Sequence, residues 1–260
     1  MPATQPRQGK RCDAQADHAL IVLQRMVVEQ AERQRNAITE SIELWNRARD
    51  GDEFPYLKNP DLPAYGLRQA GGRLLVPMMA IGADGDAAWV GMQRISQAES
   101  GGSADKRFVT GTPTKGAFAV IPIVGSDEES PLLAFDAAKT ARRVVLCEGI
   151  GTALAIHHAT GFPVIAAMSA QNLPDVAGSL RNHLQGDVLI FADNDGEKAA
   201  YKGPICALQA AQFLPSSRIA MPEKSGATPS GYDARDQLRD EGISAIVSTV
   251  SAALADGSCQ

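Results

Sequence analysis

Apolar residues in the first part of the chain recur at steps of three and four. Leu20, Leu23, Val27, Ile38, Ile42 and Trp45 fall mostly on this spacing within residues 13–49, a stretch without Gly or Pro. That period puts them on one stripe of a helix. It predicts one amphipathic helix, or two with a soft break near Gln34–Asn36, stopped by Gly51. Residues 52–72 are punctuated by Pro55, Asn59-Pro60, Pro63, Gly66 and Gly71-Gly72, a turn-rich signature. Short strand-like runs follow at Arg73–Met79, Ala87–Ile95, Lys106–Thr110 and Gly116–Ile123, with a turn at Asp84-Gly85 and a polar Gly/Ser loop at 96–104. These predict a small antiparallel, sheet-containing unit.

The rhythm changes after residues 125–131, which read as a linker or exposed loop. Buried-type strands at Val144–Cys147, Val164–Ala167, Val188–Ala192 and Arg218–Met221 alternate with helical stretches. The helices are predicted at Thr152–Thr160 (closed by Gly161), Leu173–Leu184 (closed by Gly186), Glu197–Leu214, and 234–255, the last interrupted at Gly242. Strand–helix alternation predicts a parallel, doubly wound sheet.

Composition narrows the class. With 260 residues, 44% hydrophobic and 21% charged, the chain can bury one good core or build two small domains and is not compositionally disordered. No apolar run reaches the roughly 20 residues of a membrane span, and Met1–Lys10 has no apolar signal-peptide core. The expectation is a soluble, cytoplasmic protein without a membrane partner. Cys12, Cys147, Cys206 and Cys259 lie far apart with no CxxC and no His at zinc-ligand spacing, so neither disulfides nor a zinc ribbon is expected.

The net charge of −5 is unevenly spread: residues 1–120 carry 15 Lys+Arg against 14 Asp+Glu, and residues 121–260 carry 10 against 16. An acidic C-terminal half suits a cation site, since clustered carboxylates need neutralising. Any polyanion would bind a basic surface elsewhere, and residues 65–116 hold six Lys/Arg against four acids. Of these, Arg73, Arg94, Lys106, Arg107 and Lys115 are the candidate phosphate contacts. Lys198 and Lys202, read as one turn apart on a helix, fit a solvated face, and His157 and His158 fit packing or surface.

In parallel α/β sheets, ligands bind beyond the carboxyl ends of the strands. Glu148 directly follows the first predicted strand of the second half, and Asp193-Asn194-Asp195 directly follows the third. Both acidic positions therefore belong to the same sheet edge. Alone, a Glu at a strand end more often caps a helix or is solvated than does chemistry, and Asp-Asn-Asp-Gly is a good turn; their joint placement favours a hard-oxygen site for Mg²⁺ or Mn²⁺. Asp233 and Asp236 follow the next strand after a loop. They could complete such a site or cap the following helix, and the Ser169–Asn172 loop ends another strand at the same edge.

The runs Val144-Val145-Leu146-Cys147-Glu148-Gly149, Phe191-Ala192-Asp193-Asn194-Asp195 and Tyr232-Asp233-Ala234-Arg235-Asp236 resemble the TOPRIM domain of primases, topoisomerases and some nucleases. Upstream, Gly72-Arg73-Leu74-Leu75-Val76-Pro77, Gly91-Met92-Gln93-Arg94-Ile95, Lys106-Arg107-Phe108 and Lys115-Gly116 resemble the segment preceding TOPRIM in DnaG-type primases, closest to those of plasmids, phages and conjugative elements. The resemblance implies an α/β fold: a TOPRIM parallel sheet flanked by helices (131–260), preceded by a small mixed α+β subdomain (54–130) and an N-terminal helical region (1–53). It implies Glu148 as acid/base or metal partner and Asp193, Asp195, Asp233 and Asp236 as metal ligands. The implied activity is RNA-primer synthesis from ribonucleoside triphosphates on single-stranded DNA, with a replicative helicase as a potential partner and without the zinc-binding module of full-length primases. A TOPRIM nuclease and a non-catalytic single-strand-binding accessory protein are the alternatives.

Overall fold

The computed structural model describes residues 9–97 and 104–255, with side chains from His18 onward and excluding Lys198. Part of the Gly/Ser loop expected at 96–104 lies outside the described residues. The first helix, α1 (Gly9–Asn46), runs without the break considered near Gln34–Asn36. It leads to β1 (Arg49–Asp50), β2 (Arg68–Ala70), β3 (Arg73–Ile81), β4 (Ala87–Ser96) and β5 (Asp105–Phe108). These five pair in sequence order, all antiparallel, as hairpin connections dictate. Ala37, Ser41 and Trp45 on the C-terminal half of α1 are buried where the helix packs across β4.

The next elements are β6 (Ala119–Ile121), α2 (Ser130–Thr140), β7 (Arg143–Cys147), α3 (Ile150–Thr160), β8 (Val164–Ala166), α4 (Leu173–Leu180), β9 (Asp187–Phe191), α5 (Lys202–Ala211), β10 (Arg218–Ala220), α6 (Ala234–Glu241) and α7 (Ile243–Ala255). The second sheet has the order β10-β9-β7-β8-β6. Its four strands from the strand–helix alternation are parallel. The edge strand β6 comes from the predicted Gly116–Ile123 run and joins antiparallel to β8. Strand β7 is hydrogen-bonded on both sides and covered by helices, so Val144–Cys147 is fully buried, as its unbroken apolar run requires.

The two sheets share one apolar core. Met79 of β3 and Phe118 exchange backbone hydrogen bonds at 2.8 Å, which joins one sheet to the approach of the other. Residues 125–131 are fastened rather than free. The Trp45 indole donates to the Asp127 carbonyl at 2.7 Å, the Trp89 indole to the Glu128 carbonyl at 2.8 Å, and Arg68 to the Ser126 carbonyl at 2.7 Å.

The helix expected over Glu197–Leu214 begins instead as a short 3-10 turn, Glu197–Ala199. Ala200 and Tyr201 then take left-handed backbone angles before α5 starts. Lys198 and Lys202 are therefore not one turn apart on a common helix. Among the described residues no helix is long and apolar enough to cross a membrane.

Candidate metal and phosphate site

The register of the second sheet places the candidate acids. Cys147 of β7 pairs with Phe191 of β9 and with Ala166 of β8, while Ala220 of β10 pairs with Phe191. The carboxyl ends of four parallel strands are thus level, and the residues just past them face one edge. Glu148 and Gly149 leave β7 there and enter α3 at once. Gly149 caps α3, whose N-terminal end carries positive partial charge toward this edge.

The Asp193-Asn194-Asp195 turn follows β9 and is clamped by Asn194. Its backbone N–H donates to the Tyr232 carbonyl at 2.8 Å, its carbonyl accepts from Gly231 N–H at 2.7 Å, and its side chain donates to the Pro222 carbonyl at 3.1 Å. This bridge brings the segment containing Asp233 beside Asp193. Glu148, Asp193 and Asp233 line one cavity of about 450 Å³.

Asp233 also caps α6. Its carboxylate accepts from Asp236 N–H at 2.8 Å, and the Asp236 carboxylate accepts in turn from Asp233 N–H. Asp236 does not line this cavity; it pairs with Arg239 at 2.7 Å and lines the adjoining one with Tyr56 and Arg235. The Asp195 carboxylate accepts from Gly203 N–H at 2.6 Å and does not line the cavity, although its charge acts on Glu148.

The electrostatics of this edge are unfavourable for bare anions. Burial pushes the Asp193 carboxyl well above its ordinary 3.8, and the neighbouring Glu148 and Asp233 carboxylates push it further; a hydrogen bond from the Thr152 hydroxyl at 3.2 Å opposes them. Burial, then the charge of Asp195, raises Glu148 above 4.5 against the pull of Ala170 N–H, Lys202 and Lys106. Burial raises Asp233 as well. The neighbouring Cys147 thiol is pushed well up by burial and by Asp193, so it is an inert core group.

Among the described residues no three His, Cys, Asp or Glu side chains converge tightly enough to hold an ion unaided. The donor set nonetheless suits Mg²⁺ or Mn²⁺. Its oxygens are hard, their mutual repulsion is what a cation relieves, and magnesium keeps waters and completes its shell with substrate phosphate.

The cations expected from the upstream region separate sharply. Lys106 lines the cavity and rests over the Tyr56 ring at 5.7 Å. Arg107 is exposed and pairs with Asp105 at 2.7 Å, Arg94 pairs with Glu40 of α1 at 3.2 Å, and Lys115 pairs with Asp175 at 3.6 Å. Arg73 is exposed at the start of β3 and does not line the cavity.

Sequence reasoning missed Arg235 and Tyr56. Arg235, from the first turn of α6, donates to the Tyr56 and Asn59 carbonyls, the latter at 2.9 Å, and stacks over the Tyr56 ring at 4.1 Å. The Tyr56 hydroxyl lies where a Cβ on Gly151 would meet it at 2.8 Å, so the glycine after Glu148-Gly149-Ile150 makes room for the ring. The Tyr56 ring therefore contacts Arg235 of one unit and Lys106 of the other. Adjacency of Arg235 to Asp236 was the available signal, but its partners lie 176 and 179 residues away.

The Ser169–Asn172 stretch does reach the site through Ala170 N–H. Asn172 fixes it there, bonding the Ala117 and Ala167 carbonyls at 2.8 Å and accepting Gly116 N–H at 2.7 Å. His157 and His158 lie outside the cavity, where His158 bonds the Tyr65 hydroxyl at 2.7 Å.

Residues 143–244 match the family model described as a Toprim domain, which places that domain on the second sheet and its carboxylate edge. No curated protein matches the chain. Solved structures similar to it include the RNA polymerase domain of Mycobacterium tuberculosis primase DnaG, at 22% identity over 77% of this chain and 63% of that one, TM-score 0.41. The E. coli primase catalytic core gives 16% identity, 72% and 54% coverage, and TM-score 0.45. A DNA primase domain from Pseudomonas aeruginosa gives 14%, 77% and 60%, and TM-score 0.42. The chain spans less than two thirds of the length of each.

Proposed function

Starting from the Toprim domain at residues 143–244, we propose that the chain is a primase-type nucleotidyltransferase that joins ribonucleotides on a single-stranded DNA template. The observation that carries this reading is the shared cavity. Glu148, Asp193 and Asp233 line it from the Toprim sheet and Lys106 lines it from the upstream sheet. Carboxylates on one wall and a cation on the other suit a triphosphate held between them.

In the proposed reaction a primer 3′-hydroxyl attacks the α-phosphorus of an incoming nucleotide. The new P–O bond forms as the bond to the β-phosphate oxygen breaks, and pyrophosphate leaves. Glu148, whose carboxyl burial and the Asp195 charge raise above its ordinary value, takes the hydroxyl proton. Asp193 and Asp233, with Asp195 behind them, would hold the Mg²⁺ or Mn²⁺. Bound there, a divalent cation neutralises the charge that develops on the transferred phosphoryl group. Thr152 orients Asp193 by its hydrogen bond, and Lys106 and the N-terminal end of α3 attract the phosphates.

Labelled ribonucleoside triphosphates, single-stranded DNA and Mg²⁺ or Mn²⁺ test the reading on a gel. Short template-dependent oligoribonucleotides are expected, and Glu148→Gln and Asp193→Ala should abolish them. Shortening of the template would make the chain a nuclease instead. Binding of the template without either product would make it an accessory protein.

A further inference from the structure

The N-terminal half of α1 carries an apolar surface that no other described residue covers. Between Leu20 and Val28, seven large apolar side chains are 41–66% exposed. At about 100° per residue, Leu20, Leu23 and Val27 lie on the same side of the helix as Ala37, Ser41 and Trp45, which are buried against the upstream sheet. The docking face therefore continues past the edge of the sheet with no described residue beneath it. Met26 and Val28 flank it, while Ile21 and Val22 lie beside Arg25 and Glu29 toward the opposite side.

The segments of this sequence outside the described residues are poor in apolar side chains. Residues 1–8, 98–103 and 256–260 contribute a single large apolar side chain, Met1. On and beside the stripe, Leu20, Leu23, Met26, Val27 and Val28 present on the order of 500 Å², within the size of the largest patch a monomer leaves open and more than half of the about 800 Å² per partner of a stable interface. The polar residues along this half (Arg25, Glu29, Glu32, Arg33 and Arg35) carry both signs, and Arg33 is paired with Glu29 at 3.5 Å. The surface is therefore not a phosphate-binding stripe.

We propose that this chain self-associates through α1, a second copy laying the Leu20–Leu23–Val27 stripe of its own helix against the same stripe. An isologous contact of this kind puts each apolar face on its equivalent. The flanking Met26 and Val28 widen the contact beyond a narrow two-residue seam.

The mass of the full chain, measured by light scattering on a sizing column at roughly 1–100 µM, tests this over the range in which a micromolar Kd is visible. A multiple of 27.5 kDa is expected. Leu23→Glu with Val27→Glu should return it to 27.5 kDa with unchanged helical circular dichroism, whereas Glu29→Lys on the opposite face should leave the oligomer intact. A monomeric wild type across this range overturns the proposal. So does an oligomer that survives the double substitution. If the double variant fails to fold, Val27→Asp and Leu20→Asp singly provide the same reading, and persistence of the oligomer in both is equally fatal.

Discussion

Glu148, Asp193 and Asp233 from the second sheet share one cavity, whereas of the five cations expected from the upstream region only Lys106 reaches it. The backbone register of level strand ends delivers Glu148 and Asp193 there, and the Asn194–Tyr232 bridge delivers Asp233. Long cationic side chains on an antiparallel sheet with a solvated face find local acids instead, as Arg94 does with Glu40 and Arg107 with Asp105. Backbone topology is thus a strong placement rule for short side chains and a weak one for long, flexible ones.

The contrast is broken most directly at its most strained member. Asp193→Asn should cost about 10²–10³-fold in primer synthesis, the scale of removing one preorganised electrostatic group. The same change should raise the melting temperature of the metal-free protein by about 2–4 °C, the shift that roughly 1 kcal/mol produces in a chain of this size. A melting temperature that falls would mean that Asp193 is not held against its own repulsion and burial.

On the basic side, Lys106→Ala should raise the nucleotide KM about tenfold, some 1.4 kcal/mol, with kcat little changed. Arg235→Ala removes two charge-assisted bonds to carbonyls of the upstream unit, a loss of about 2 kcal/mol in stability, read by urea unfolding. It should also raise the nucleotide KM severalfold, by releasing Tyr56 and with it Lys106. Lys at 235 should not rescue it, since an ammonium cannot reproduce the stacked, forked geometry.

Asp193 and Glu148 have folded pKa values raised above their ordinary 3.8 and 4.5. From these two groups the native state binds more protons than the unfolded state above about pH 4. Their contribution to stability is complete below those ordinary values and is lost as pH rises through the raised ones. Metal-free unfolding free energy should fall over that window, the slope should flatten in Asp193→Asn, and added Mg²⁺ should recover stability at the high-pH end. The smallest effects belong to Arg107→Ala and Lys115→Ala, expected within about twofold of wild type because both ends of their ion pairs are solvated. A tenfold loss in either would put the nucleic-acid path across that face.

Much of the second sheet was legible in the order of residues. Unbroken apolar runs bounded by helix signals gave its four parallel strands, and Glu148 and Asp193 sat one and two residues past two of them. Other features were ambiguous for physical reasons. Asp233 and Asp236 both lie at the start of a helix, and only the Asn194–Tyr232 bridge and the pairing of Asp236 with Arg239 separate their directions. The helix expected from Glu197 lost its first turn because left-handed angles at Ala200 and Tyr201 let Asp195 bond Gly203 N–H instead.

Local patterning determined the elements, the edge on which the acids lie and the hard-oxygen character of the site, since periodicity and strand-end position are short-range properties of the chain. Tertiary structure alone decided which cation meets those acids, because Lys106, Tyr56 and Arg235 become neighbours only when the two sheets close on a common core. It also left the Leu20–Leu23–Val27 stripe uncovered. That stripe has the period of a buried helix face, and only the position of the sheet edge beneath α1 shows that the described residues do not bury it.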